Sequence, residues 1–293
     1  MRTSSGSGNS DTAMKRVGVI YHPKITAAKA LSERLAELLP TMKGNVWLCS
    51  SWDEEHMRAH WQGTDLALCV GGDGTILRVA RMVAAWGIPI VGVNMGHLGF
   101  MTEFSADEAL EKLPALLAGE GWVDQRSMLQ VELLSEPKGG DRKESTFHAL
   151  NDALVGRGSV PRIINVVTTV NGAPLSNYRV DGVIVSTATG STGYSLAAGG
   201  PILYPQAEEF LIKPVSAHLS LPYALVLPPT AVVQMVVHTN YEAVLSIDGQ
   251  VNVPLRDSDT VTARRSPHHA RFLRTSPRDL FYAALEQRLK VRE

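Results

Sequence analysis

Five consecutive residues, Gly71-Gly72-Asp73-Gly74-Thr75, combine what a phosphate needs with something it resists. Glycines let backbone amides approach an anion closely, and a helix start offers free N–H groups and the positive end of a dipole. Thr75 is expected to cap the helix that follows. Asp73 is the odd member, because a carboxylate repels phosphate unless it has its own task. Two tasks suit it: accepting the proton of an attacking hydroxyl, or helping to hold a divalent cation that offsets phosphate charge. The plainer reading is a tight turn in which Asp73 merely caps. Neither G-x-x-x-x-G-K-[ST] nor G-x-G-x-x-G occurs, which argues against a P-loop enzyme and an ordinary dinucleotide-dehydrogenase fingerprint.

A second polar stretch starts at Asp181-Gly182. After an apolar run, Val183–Thr187, it reads ATGSTGYSLAAGGPI, with glycines at 190, 193, 199 and 200 among Thr189, Ser191, Thr192, Tyr194 and Ser195. Small donors, accessible backbone and one aromatic ring suit the edge and face of a purine with a ribose beside it. The alternative is a glycine-rich linker. Gly193-Tyr194-Ser195-Leu196-Ala197 resembles a nucleophile elbow, but its last glycine is alanine. The adjacent amide and acid Asn151-Asp152 could hold two ribose hydroxyls, and Arg162 and Arg179 could neutralise phosphates. His56 and His60 have metal-ligand spacing without a third ligand nearby. They are read as part of a partly buried amphipathic helix with Trp52, Met57 and Trp61. His268-His269 is read as an exposed pair on a late strand.

The elements that must position these groups change character along the chain. From Lys15 to about Leu117, apolar runs at Arg16–Tyr21, Asn45–Cys49, Asp65–Val70 and Pro89–Asn94 alternate with helical spacing at 25–39, 75–86 and 106–118. That alternation predicts an α/β unit with a parallel sheet, whose strands are continuously apolar because both faces are covered. The glycine loop then leaves the C-terminal end of a strand, where open α/β sheets bind ligands. The loop Asn94-Met95-Gly96-His97-Leu98-Gly99-Phe100 leaves the same edge, with Leu98 and Phe100 as candidate core. After Gly121 come short β-type runs: Ser127–Leu134, Ile163–Val170, Val183–Thr187, Ala231–Val237, Val244–Ile247 and Thr260–Ala263. Asn171-Gly172 and Asp248-Gly249 are hairpin dipeptides, and 137–145 reads as a mobile loop. This half is predicted to be a β-rich sandwich. Ser276-Pro277 reads as an N-cap and first helical residue, and Leu280, Phe281, Ala284, Leu285 and Leu289 form one apolar stripe. That terminal helix is expected to return to the first domain. The expected domains are therefore 15–120 with 275–293, and 121–274, after a Ser/Gly-rich disordered tail at 1–14.

Composition excludes several classes. Of 293 residues, 44% are hydrophobic and 19% charged, which suits a folded chain rather than a disordered one. A net charge of −1 gives no basic excess for coating nucleic acid. Cys49 and Cys69 cannot build a disulfide scaffold or a zinc cage alone, so a reduced, cytoplasmic setting is expected. The first residues lack the apolar core of a secretory signal. The most apolar stretch, Leu219 to Val237, is broken by Pro222, Pro228, Pro229 and Gln234, so no membrane span is expected.

Taken in order, GGDGT, NMGHLGF, the Asn-acid pair, DGVIVSTATGSTGYSLAAGGPI and SIDGQ resemble the NAD kinase family, from about Lys15 to the terminal helix. GGDGT alone is shared with lipid and sugar kinases; the long fourth motif is not expected in them. The resemblance implies phosphoryl transfer to the 2′-hydroxyl of the adenosine ribose of NAD, giving NADP. It implies Asp73 as proton acceptor, with Gly71, Gly72, Gly74 and Thr75 forming the phosphate loop. It implies dinucleotide contacts from Asp73, Gly74, Arg78, Asn151, Asp152, Arg162, Arg179, Asp181, Thr192, Gly193, Tyr194, Ser195, Leu196, Ala197 and Gln250. The family more often has Glu at Asp152, Ala at Gly193 and Ser at Ala197. It also implies ATP or polyphosphate as phosphoryl donor, a divalent cation such as Mg²⁺, and a homodimer or homotetramer. The rivals are a lipid or sugar kinase with the same loop and a non-catalytic dinucleotide sensor.

Overall fold

The computed structural model describes residues 16–41, 45–96, 99–135, 142–160, 162–218, 221–283 and 285. The chain divides into two compact units, Met1–Asp124 with Arg271–Glu293, and Gln125–Ala270. The tail at 1–14, His97, Leu98 and the loop residues 137–141 lie outside the described residues.

The first unit is α/β. Its elements are β1 (Arg16–Tyr21), α1 (Thr26–Thr41), β2 (Asn45–Ser50), α2 (Glu54–His60), β3 (Leu66–Gly71), α3 (Asp73–Val83), β4 (Pro89–Asn94), β5 (Phe104–Ser105) and α4 (Ala106–Leu117). The order β2-β1-β3-β4 is parallel throughout, with Val17 opposite Leu66 and Ala67 opposite Ile90. Every residue of β3 is buried, as a strand covered on both faces must be. Leu66, Leu68 and Val70 meet Leu31 and Leu35 of α1 and Leu113 and Leu116 of α4 in one core. On the sheet's other face α3 comes so close that a β-carbon at Gly92 would lie 2.5 Å from Ile76 Cδ1. Ser105 and Glu108 close a reciprocal capping box at the start of α4.

The second unit is built of β6 (Trp122–Ser135), β7 (Lys143–Ala149), β8 (Asp152–Arg157), β9 (Ile164–Val170), β10 (Ala173–Val180), β11 (Gly182–Thr187), α5 (Tyr194–Ala197), β12 (Phe210–Val215), β13 (Leu225–Leu227), β14 (Val232–His238), β15 (Ala243–Ile247), β16 (Val251–Leu255) and β17 (Thr260–Arg274). β6 and β17 carry the chain from one unit to the other. One antiparallel set runs β10-β9-β14-β17 and the other β13-β12-β11-β8-β15-β16. Alternate residues point into a shared core, among them Val233, Met235 and Val237 from β14 and Val183 and Val185 from β11. Asn171 (φ 50°) and Gly172 (φ 79°) form the two-residue turn between β9 and β10.

Several expectations are corrected. α3 begins at Asp73, capped by Gly72 without a side-chain bond, and Thr75 lies inside its first turn. α3 ends at Val83, before a single 3₁₀ turn at Ala84–Trp86 that stops at Gly87 (φ 65°). Lys143 to Ser145 belong to a strand, and the late strand runs on to Arg274. His268 and His269 are half-buried rather than exposed, and the His268 ring lies 5.1 Å from that of His148. Trp52 is exposed, whereas Met57 and Trp61 are buried under α2.

The end of the chain is tied into the first unit by one buried acid. Glu103 Oε1 accepts from the amides of Thr275 (2.7 Å) and Ser276 (2.8 Å) and from both their hydroxyls. Arg274 pairs with Glu103 at 3.2 Å and Asp124 at 3.4 Å, with all three side chains buried. The Ser276 hydroxyl is therefore spent on Glu103 instead of capping a helix. Helical backbone starts at Leu280, and residues 284 and 286–293 lie outside the described residues.

Candidate functional site

The first unit presents the phosphate-type loop. Gly71 closes β3, and Thr75 Oγ1 stands 2.5 Å from where a β-carbon on Gly71 would be, so no side chain fits there. Gly72 and Gly74 are exposed and leave the backbone open. Thr75 Oγ1 is buried without a hydrogen-bond partner. Asp73, the first residue of α3, turns its carboxylate toward the loop that follows β4. Oδ2 accepts from the amide of Phe100 (3.0 Å) and Oδ1 from that of Met101 (3.2 Å). A β-carbon at Gly99 would collide with that carboxylate. Arg274 Nη1 donates to the carbonyls of Met101 (3.0 Å) and Thr102 (3.1 Å), so the buried cation steadies the segment whose amides fix Asp73. Arg78, one turn further along α3, is half-buried and paired with Glu54 of α2 at 3.3 Å.

The second unit gathers its polar groups where β8 begins and β11 ends. Asn151 and Asp152 sit in that turn. The Asn151 carbonyl accepts from the Thr187 amide at 2.9 Å, and the Leu150 carbonyl from Thr187 Oγ1 at 2.6 Å. Gly190 packs so tightly on the Asn151 carbonyl that no side chain could stand there. Asp152 is only 7% exposed. Burial, then the neighbouring Asp248, push its carboxyl up to about 7. Asn151 Oδ1 and Ser195 Oγ are buried without partners, and orphaned polar atoms of this kind call for an explanation. Thr192 Oγ1 donates to the Thr189 carbonyl, and the Tyr194 ring is exposed, free to stack on a flat ligand. Leu196 is half-buried and Ala197 exposed on the same short helix. Gln250 lies in the β15–β16 turn beside Asp248. Ser195, fully buried and without a base, has none of the exposure a nucleophile needs.

Three residues are not brought to that end. Asp181 precedes β11 and pairs with Arg157 at 2.9 Å. Arg179 is exposed on β10, and the Arg162 guanidinium lies 5.6 Å from the Tyr241 ring centroid. Asp181 and Thr187 stand at opposite ends of β11, about 20 Å apart at the usual rise per residue.

Sequence reasoning missed the groups that hold the site in place. Gly99 carried a signal, since it follows a strand end shared with the glycine loop. Asp248 carried a weaker one in SIDGQ, as an acid two residues before Gln250. The amides of Phe100 and Met101 carry none, because any residue supplies an amide. Among the described residues no helix is long and apolar enough to cross a membrane, and no group of three or more His, Cys, Asp or Glu is placed to hold a metal ion.

Comparison with known proteins covers most of the chain. Residues 10–121 match the family model of the ATP-NAD kinase N-terminal domain, and residues 150–275 that of the ATP-NAD kinase C-terminal domain. The NAD kinase of Dehalococcoides mccartyi is 44% identical over 276 residues, covering 94% of this chain and 96% of that one. The NAD kinase of Chloroflexus aurantiacus is 39% identical over 280 residues, covering 94% and 99%. Among solved structures, an NAD kinase from Archaeoglobus fulgidus in complex with ATP superposes with a TM-score of 0.73 at 26% identity, covering 94% of this chain and 99% of that one. Yeast NADH kinase complexed with NADH gives a TM-score of 0.82 at 22% identity, covering 99% and 93%, a likeness of fold.

Proposed function

The chain belongs to the NAD kinase family, and from that premise we propose how its residues divide the work of making NADP from NAD. Asp73 is the general base. A secondary hydroxyl is a poor nucleophile, so a carboxylate must take the proton of the ribose 2′-hydroxyl as its oxygen bonds to phosphorus and the donor's bridging oxygen leaves. The observation that carries this role is the grip on Asp73: each of its oxygens accepts one backbone amide, from Phe100 or Met101. The carboxylate is thus fixed in direction while both oxygens keep lone pairs. Gly71, Gly72 and Gly74 offer backbone to the transferring phosphate, and positioning supplies most of what phosphoryl transfer needs.

ATP is the donor this reading assigns, supported by the ATP complex of the Archaeoglobus fulgidus relative. A Mg²⁺ ion, when bound with the donor, neutralises phosphate charge. Such an ion commonly needs only one or two carboxylates besides phosphate oxygens. The single carboxylate of the glycine loop, Asp73, fits that demand.

On the dinucleotide side, Asn151 and Asp152 take ribose and diphosphate groups, and Thr192 to Ala197 line the adenosine. The buried orphan oxygens of Asn151 and Ser195 and the exposed Tyr194 ring support that assignment. The position of Arg162, Arg179 and Asp181, a strand's length from Asn151, supports a homodimer or homotetramer in which they serve a neighbouring copy's ligand. Two buried free thiols, Cys49 and Cys69, suit the cytoplasm. The test is a steady-state assay with Mg²⁺, NAD or NADH, and ATP or polyphosphate. NADP formation from ATP is expected. Binding of NAD without turnover on any donor overturns the reading in favour of a sensor, and phosphorylation of a lipid instead favours the lipid kinases.

A further inference from the structure

Residues 150–152 make a turn whose backbone is accounted for group by group. Asp248 accepts from three consecutive amides: Leu150 at 3.1 Å, Asn151 at 2.7 Å and Asp152 at 3.1 Å. The carbonyls are taken as well. Leu150 receives Thr187 Oγ1, Asn151 receives the Thr187 amide and Ser186 Oγ, and Asp152 receives the amide of Asp248 itself at 2.9 Å. All three N–H and all three C=O groups therefore have partners, as buried backbone requires. What remains unspent is on the side chains. Asn151 Oδ1 is buried with no partner, and the Asp152 carboxyl is almost wholly buried beside it.

Asp248 is suited to this in one further respect. It lies at φ +52°, the left-handed region that Asp and Asn tolerate and most residues do not. That conformation lets its amide reach Asp152 O while its carboxylate reaches back to the three amides.

We propose that Asp248 is a positioning residue for the dinucleotide: its carboxylate locks the 150–152 turn so that Asn151 and Asp152 meet the ligand already aligned. It touches no reacting atom. The inference rests on the reading of Asn151 and Asp152 as dinucleotide contacts. Its energetic logic is preorganisation, in which order supplied by the fold is not charged to binding.

Two substitutions test it. Asp248→Gly deletes the carboxylate and keeps the left-handed turn unstrained. Asp248→Asn keeps the shape and one acceptor oxygen but loses the charge. Each is measured by hydrogen exchange on the free protein and by steady-state kinetics. With D248G, exchange at the amides of 150–152 and KM for NAD should each rise about tenfold or more, with KM for ATP and kcat within about threefold of wild type. D248N should fall between D248G and wild type, a partial rescue that a purely bulk-packing role would not give. An unchanged KM for NAD in both variants overturns the proposal, as does a loss of protection spread evenly over β8, β11 and β15. If D248G does not fold, D248N decides by the same two readouts. A wild-type protein that fails to convert NAD would overturn the proposed function instead, while the exchange measurement still reports on the lock.

Discussion

In the α/β unit the amides of Phe100 and Met101 hold a carboxylate, Asp73; in the β-rich unit a carboxylate, Asp248, holds the amides of Leu150, Asn151 and Asp152. The same interaction is used in opposite senses. Asp73, as the proposed proton acceptor, must be aimed to within a fraction of an ångström, so the rigid backbone is the frame and the acid is what it frames. The turn proposed to hold the dinucleotide lies between two strands, so an acid becomes the frame and the backbone is what it steadies. Charge-assisted bonds of this type are stronger than neutral ones, which suits both uses.

The contrast can be broken at its strongest point first. Asp73→Asn should lower kcat by about 10²–10⁴ while leaving KM for NAD within a few-fold, because it removes the base and spares the contacts. Turnover close to wild type would take the framed acid out of the chemistry. Next, Arg274→Met removes the cation paired with buried Glu103 and Asp124, at a cost of about 3–5 kcal/mol in unfolding free energy. Denaturant melts read this directly; a change under about 1 kcal/mol would show the buried triad to be dispensable. Gly99→Ala pushes a methyl against the Asp73 carboxylate and should cost about 10²-fold in kcat with little change in stability. A variant with normal kcat would mean that the loop yields and that the frame is softer than its geometry suggests.

The smallest effect separates the two halves by pH. Asp152 is raised to about 7 by burial and by Asp248, so the folded state binds its proton more tightly than the unfolded chain does. Its contribution therefore favours folding below the ordinary Asp range. It turns unfavourable as pH climbs from there toward 7, by up to about 1.4 kcal/mol per pH unit. Asp152→Asn should stabilise the protein more at pH 8 than at pH 5, read as the difference in Tm. Glu103 has the reverse sign. Burial alone would raise it, but Arg274 and the amides of Ser276 and Thr275 outweigh that and hold it below the ordinary Glu range. Its stabilisation is complete above that range and is lost as pH falls through the lowered value. Equal Tm differences for Asp152→Asn at both pH values would contradict the assignment.

Much of the frame was legible because it rests on periodicity. Continuous apolar runs such as Leu66–Gly71 are buried on both faces, and the alternation of Val233, Met235 and Val237 marks a sandwich strand. Asn171-Gly172 marked its turn because both residues need positive φ. Asp73 stood out as an acid among glycines, and Asn151-Asp152 as an adjacent amide and acid beside a short apolar run. What stayed hidden depends on distance along the chain. Asp248 lies 96 to 98 residues from the amides it holds. Thr75 does not cap α3, because Gly72, which offers no side chain at all, takes that position.

The partners of Glu103 lie 171 to 173 residues downstream of it. On a ribosome adding about 5–20 residues per second, roughly 10–30 s pass before Arg274 emerges after Glu103. During that interval the nascent segment carrying the glycine loop has Glu103 but not Arg274, the cation it pairs with. The carbonyls of Met101 and Thr102 also lack their donor. The part of the protein translated first is thus the part completed last, and the segment that frames Asp73 gains its buried cation only when translation is nearly over.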